Sequence, residues 1–160
     1  MALEIERKFL LLNDDWRRNV RESYHLRQGY LNAVDRCSVR VRTCGNRAWL
    51  NIKGATVGAQ RLEFEYEIPL ADADTLLTQL SQGPVIEKTR YLVDVGAHTW
   101  EIDVFEGENA GLVVAEIELE HADEAFVKPS WAGEEVTHDI RYYNTMLARD
   151  PFRNWPENAG

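Results

Sequence analysis

The chain has 160 residues, with 27 Asp and Glu against 18 Lys and Arg and a formal net charge of −9. That length suits one domain burying roughly 70% of the surface its unfolded chain exposes, and the acidic balance repels nucleic acid and anionic membranes. Composition, 44% apolar and 28% charged, is that of a soluble globular protein; no apolar run nears the ~20 residues of a membrane span, and the early charges Glu4, Glu6, Arg7 and Lys8 leave no signal-peptide core, so the expected location is cytoplasmic.

Alternation of apolar and charged residues with period 2 begins at once, with Leu3, Ile5 and Phe9 between Glu4, Glu6 and Lys8. A short helix is expected over 14–20. Strands follow over 23–31, around Val39 and Val41, and over 48–53, with turn signals at Cys44-Gly45-Asn46 and from Gly54 to Gly58. Leu62, Phe64, Tyr66 and Ile68 then alternate with Arg61, Glu63, Glu65 and Glu67. Asp72 or Asp74 is expected to cap a helix with Ala73, Leu76, Leu77 and Leu80 on one face, ended by Gly83-Pro84. Strands return over 88–93, 101–104 and 116–120, and further helices are expected over 122–128 and 141–149. A single domain over 1–150 with a loose tail over 151–160 completes the reading. Eight short strands with turn signals between them imply antiparallel hairpins closing into a barrel, a mainly β fold with a few short helices outside.

Cys37 and Cys44, if on one strand, are separated by ~23 Å, whereas a disulfide needs Cα atoms within ~7 Å. His25, His98, His121 and His138 show no ligand-like interval, and no zinc spacing is present. Neither a G-x-x-x-x-G-K-[ST] loop nor a G-x-G-x-x-G turn occurs, so any phosphate handling falls to side chains.

The charged faces are sorted by strand. Acids gather at Glu116, Glu118 and Glu120 and at Glu63, Glu65 and Glu67, and arginines at Arg36, Arg40 and Arg42. Neighbours two apart on a strand sit ~6.6 Å from each other, so each like pair repels by ~0.6 kcal/mol in water and ~2.5 kcal/mol at an effective dielectric of 20. Alternation alone favours a solvated outer face around an apolar interior. The sorting instead suits a ligand carrying both divalent cations and anionic oxygens, because carboxylates hold Mg²⁺ or Mn²⁺ and Arg and Lys hold phosphate.

Glu4-Ile5-Glu6-Arg7-Lys8 resembles the E-x-E-x-K opening of the CYTH superfamily, the triphosphate tunnel metalloenzymes. Gln28-Gly29-Tyr30-Leu31, Arg40-x-Arg42, Ile52-Lys53-Gly54, Arg61-x-Glu63-x-Glu65, Glu87-Lys88-Thr89-Arg90-Tyr91, Glu101-Ile102-Asp103-Val104-Phe105 and Glu116-Ile117-Glu118 follow in order, then Glu135-Val136-Thr137. The resemblance is to short bacterial members and covers nearly the whole chain; Asn51, His138 and Ile140 depart from the usual residues. It implies an eight-stranded antiparallel barrel whose lumen is an open hydrophilic tunnel, with the apolar faces turned outward and a C-terminal helix at one mouth. It also implies metal ligands among Glu4, Glu6, Glu63, Glu65, Asp103, Glu116 and Glu118, for Mg²⁺ or Mn²⁺. Substrate phosphates would fall to Lys8, Tyr30, Arg40, Arg42, Lys53, Arg61, Lys88 and Arg90. Glu4, Glu6, Lys8, Lys88, Glu116 and Glu118 are the expected catalytic set.

The expected activity is hydrolysis of inorganic tripolyphosphate. Alternatives on the same scaffold are a class IV-type adenylate cyclase and a thiamine triphosphatase; a non-catalytic polyphosphate- or nucleotide-binding module would not need seven carboxylates. The expected partner is a small triphosphate, with neither nucleic acid nor membrane. Monomer and homodimer both stay open.

Overall fold

A computed structural model describes residues 2–32, 37–55, 57, 59–148 and 150–156. Nine strands appear in chain order: β1 (Ala2–Leu11), β2 (Val20–Tyr30), β3 (Cys37–Cys44), β4 (Arg47–Gly54), β5 (Gln60–Ile68), β6 (Gln82–Val95), β7 (His98–Phe105), β8 (Val113–Leu119) and β9 (Ala132–Glu135). All pairings are antiparallel, in the order β5-β4-β3-β2-β6-β7-β8-β1, and β1 closes the ring on β5. The eight strands expected from alternation are therefore present and form a closed barrel. β9, with no alternating pattern of its own, was not anticipated.

The closing seam is short. β1 pairs with β5 only through Ala2 to Ile5, and β9 takes over the same edge at Phe9 and Leu11. Between them the edge is held by Glu6 N–H donating to the Ala59 carbonyl at 3.0 Å and by Val136 N–H donating to the Lys8 carbonyl at 2.8 Å. An exposed sheet edge is thereby removed, and both edges of β1 are fixed along its charged residues.

Alternation works in the opposite sense to an ordinary barrel. The apolar faces turn outward and are roofed by the connections. Trp16, Trp131, Val93, Trp100, Ile102, Ala115 and Ile117 form one outer core with Phe9; Trp100 is fully buried, its ring centroid 5.4 Å from those of Phe9 and Trp131. A second cluster packs Ala73 and Leu77 on Val41 and Ala48. Gly29 permits that approach, since a Cβ there would stand 2.9 Å from Leu77 Cδ2.

The helices differ from the sequence reading. α1 (Leu70–Thr75) starts directly behind Pro69, whose fixed φ ends β5, so Asp72 and Asp74 lie inside the helix and cap nothing. It continues as a π-helical turn over Leu76–Leu80, and the Ser81 hydroxyl then donates to the Leu77 carbonyl at 2.6 Å. Gly83-Pro84 consequently belongs to β6. The expected helix over 14–20 is a 3₁₀ turn at Asp15–Asn19. No helix forms over 122–128, where Glu124 is drawn to His98 and to Glu120 N–H while Phe126 packs on Phe9 and Trp100. The one expected over 141–149 shrinks to a 3₁₀ turn, Ile140–Tyr142, and α2 (Asn144–Leu147). Both cysteines are free, at opposite ends of β3. Among the described residues no helix is long and apolar enough to cross a membrane.

The C-terminal segment, expected to be loose, is docked as far as Trp155. Trp155 is buried and meets Tyr142 and Phe152 edge-on at 5.1 Å. With Leu147 and Ala148 it joins Ile86, Phe105 and Val114 from the strands in a third cluster. Gly83, at φ +76°, lets Ala148 lie against the start of β6, where a Cβ would fall 2.5 Å from the Ala148 carbonyl oxygen. Trp100→Ala removes the centre of the outer core and is expected to cost about 3–5 kcal/mol, read as a lower urea midpoint at unchanged slope. A loss below about 1 kcal/mol would place the stabilising core elsewhere.

Candidate active site

The lumen holds a cavity of about 200 Å³. Its wall includes fourteen of the fifteen residues singled out in the sequence: Glu4, Glu6, Lys8, Tyr30, Arg40, Arg42, Lys53, Arg61, Glu63, Glu65, Lys88, Arg90, Glu116 and Glu118. The fifteenth, Asp103, lies behind the wall. Glu101 and these residues together give seven carboxylates and seven cations, so the wall is formally neutral and the acidic excess of the chain lies elsewhere. Ser38, Thr137, Tyr143, Asn144 and Thr145 also line the cavity. The last three bring the C-terminal segment to the lumen as a floor beside Lys8 and Lys88.

Register explains how sorted charges coexist. Glu4 faces Arg61 across β1 and β5, Lys53 faces Glu63, Lys8 faces Glu116, and Arg90 faces Asp103. Like charges along a strand thus become opposite charges between strands. Two places break this rule: Glu6 faces Glu118, and Glu116 faces Glu101.

On the acidic side, Glu4 takes Lys53 Nζ at 3.1 Å and an Arg61 terminal nitrogen at 3.0 Å. Burial opposes its ionisation, but those cations win and hold its pKa down at about 2. Glu6 goes the other way. Burial, then the charges of Glu116 and Glu4, push it up to about 8, and its protonated carboxyl hydrogen-bonds Glu116. Glu116 is itself buried, yet Lys8, Arg90 and Lys88 hold it well below the usual range. Glu118 is raised by burial and by Glu4 and Glu101, and has no ion-pair partner among the described residues. Glu6, which also meets an Arg61 terminal nitrogen at 3.2 Å, Glu116, which meets Lys8 at 3.4 Å, and Glu118 thus line one side of the cavity, two of them with raised pKa, although their oxygens do not all come within 4.8 Å of one another. Such a hard-oxygen donor set fits a divalent cation of the Mg²⁺ or Mn²⁺ type.

The basic side is uneven in a complementary way. Arg90 is bidentate on Asp103, at 2.8 and 2.9 Å, and also meets Glu101 at 2.9 Å. Lys88 lies 2.8 Å from Asp103. Asp103 thus fastens two cations, and those cations hold its pKa down against burial and the nearby charge of Glu116. Glu65 takes Asn51 Nδ2 at 2.6 Å and Arg42 at 3.3 Å. Burial, together with Arg40 and Arg90, lowers Arg42 to about 10. Burial likewise lowers Lys53 to about 8, with Arg40 and Arg61 adding to it. Arg40 is 8% exposed, its Nε has no acceptor, and among the described residues it has no ion pair, only a hydrogen bond with Tyr30. Arg36 lies outside the described residues.

Sequence reasoning missed the floor, because residues 143–145 carry no alternation and no charge. It also missed Gln28, Asn51 and Thr137 as supports, although each stands in or beside a motif already noted. Lys8 N–H donates to Thr137 Oγ1 at 3.0 Å, which fixes the backbone of β1 beside its ammonium. Outside the barrel, His25 comes within 3.3 Å of Glu87 and 2.9 Å of Glu106, a group of ligand type that its sequence spacing did not reveal. All three are exposed and none lines the cavity.

Comparison with known proteins agrees with this geometry. Residues 2–146 match the CYTH domain. An inorganic triphosphatase from Acetivibrio thermocellus is 45% identical over 157 residues, covering 98% of this chain and all of that protein. One from Nitrosomonas europaea is 37% identical over 149 residues, covering 91% and 96%. The solved structure of the inorganic triphosphatase NE1496 superposes with a TM-score of 0.67 at 35% identity, over 92% of this chain and 95% of that one. A charged lumen in a closed antiparallel barrel, the ordered motifs along its strands and a match spanning residues 2–146 make this chain a member of the CYTH domain family.

Proposed function

We propose that this protein hydrolyses inorganic tripolyphosphate to phosphate and diphosphate in the barrel lumen, using a divalent cation, Mg²⁺ or Mn²⁺, on a soluble substrate in the cytoplasm. The observation that carries the reading is Arg40: a buried guanidinium without a counter-carboxylate is costly unless an anion completes it. Arg42, lowered by burial and then by its cationic neighbours, gains in the same way from an added negative charge. Both named relatives are inorganic triphosphatases, which supports the same substrate.

In this reading Arg40, Arg42, Lys53, Lys88 and Arg90 grip the phosphate oxygens, with Lys8, Arg61 and Tyr30 beside them. Phosphoryl transfer asks the protein mainly to hold the phosphates in line and to offset charge on the transferring group and leaving diphosphate, which fixed cations do without reorganising. Glu6, Glu116 and Glu118, with Glu4 next to them, would hold the cation. When bound, that ion would neutralise phosphate oxygens and help present a water. Asp103, Glu65 and Glu63 act on the other side, as positioning residues that orient Arg90, Lys88, Arg42 and Lys53; this departs from a metal-ligand role for them.

Incubation with Mg²⁺ or Mn²⁺ and, in parallel, tripolyphosphate, ATP and thiamine triphosphate tests the proposal by the products released. Phosphate from tripolyphosphate as the fastest reaction is the expected result, and cyclic AMP with equimolar diphosphate from ATP would overturn it. Arg40→Ala is expected to lower kcat/KM for tripolyphosphate about 10- to 100-fold, the worth of a hydrogen bond to a charged group. Unchanged kinetics would remove Arg40 from the phosphate cradle.

Glu6 gives a pH signature without any substrate. Its pKa rises from 4.5 to about 8 on folding, so the folded state keeps a proton that the unfolded chain releases above pH 4.5. Stability without metal therefore falls as pH rises from about 4.5 to 8. Glu6→Gln, neutral at every pH and able to donate to Glu116, should flatten that fall. In chelator its thermal midpoint should exceed wild type at pH 9 and match it near pH 5. A variant that is the less stable at pH 9 would contradict the shared proton.

A further inference from the structure

The cavity floor touches the basic side of the lumen. Tyr142 offers its carbonyl to Lys8 Nζ at 3.1 Å, and the Tyr143 ring centroid lies 5.4 Å from the same ammonium. Asn144, at the start of α2, accepts at Oδ1 from Lys88 Nζ at 3.2 Å and from Gln28 Nε2 at 2.8 Å. The segment therefore reaches both buried lysines through neutral acceptors.

Lys88 is 1% exposed. An ammonium has three N–H donors and no preferred direction of its own. One bond to Asp103 leaves it free to swing about that bond. A second, to Asn144, fixes it and leaves one N–H without a hydrogen-bond acceptor among the described residues, the Phe105 ring centroid lying 5.4 Å from the nitrogen on one side. Gln28, fully buried on β2, holds the Asn144 oxygen in place. The neutral amide does this without cancelling the lysine charge, which a second carboxylate would do.

We infer that Asn144 is a positioning residue for Lys88: backed by Gln28, it aims the remaining Lys88 N–H at the bound phosphate and ties that aim to the seating of the C-terminal floor. This rests on the tripolyphosphatase reading above, and acts through Lys88 alone. Asn144→Ala removes the acceptor and the volume; Asn144→Leu removes the acceptor and keeps the branched shape while filling the space.

The test is steady-state hydrolysis of tripolyphosphate by both variants, alone and combined with Lys88→Ala, with thermal midpoints as the check on folding. Each single variant is expected to lower kcat/KM about 10-fold, the lower end of the loss of a hydrogen bond to a charged group. Added to Lys88→Ala, each should cost less than a further twofold, because the group it positions is gone. If the floor mattered only by packing, Asn144→Leu would turn over like wild type, and the losses of Asn144→Ala and Lys88→Ala would multiply. Either result overturns the inference while leaving the function intact. Wild-type protein inactive on tripolyphosphate would overturn both. Should Asn144→Ala unfold, Asn144→Leu carries the decision.

Discussion

Burying an ion costs several kcal/mol unless a partner of opposite sign and good geometry accompanies it, and a closed sheet with its charged face inward must meet that condition many times over. The antiparallel register meets it across strands. Glu4 with Arg61, Lys53 with Glu63, Lys8 with Glu116 and Arg90 with Asp103 are each directly opposite. A one-residue slip would turn a strand's charges outward and its apolar row into the lumen. The outer cores around Trp100 and Leu77, the short seam at β1 and the lumen chemistry are therefore parts of one constraint.

What the register leaves incomplete is as informative as what it completes. Glu6 and Glu118 are left hard to ionise by burial and by the carboxylates of Glu116, Glu4 and Glu101, and Arg40 stands without a carboxylate. These two deficits have opposite sign and share one cavity. A proton shared by Glu6 and Glu116 covers the first, and donation by Arg40 to the Tyr30 oxygen partly covers the second. An ion pair could have been built between them; a ligand carrying a divalent cation on a chain of anionic oxygens fills both instead.

Period 2 made the strands legible, because every barrel strand alternates and few helical stretches compete. It could not say which face is inside, since alternation is symmetric; the ordered motifs from Glu4 to Glu118 decided that sense. Fourteen of the fifteen chosen side chains meet at the cavity for the same reason, each being on the charged parity of its strand. Asp103 shares that parity but is captured by Arg90 and Lys88, a distinction of cross-strand distance that no linear pattern contains. Tyr143, Asn144 and Thr145 were invisible for the opposite reason, since an irregular segment lines the lumen through its docking by Leu147 and Trp155. The helix expected over 122–128 failed because Glu124 is engaged by His98 and Glu120 N–H, tertiary and capping bonds that outrank propensity there.

The central claim is that anion and cation complete the lumen together, and thermal unfolding with tripolyphosphate, with Mg²⁺ and with both measures it most directly. Ligand at about 100 times its dissociation constant stabilises by about 2.7 kcal/mol. With both present the midpoint is expected to rise by more than the sum of the two separate rises, and Arg40→Ala to lose most of that rise. Equal stabilisation by Mg²⁺ alone, or none with both, would contradict it.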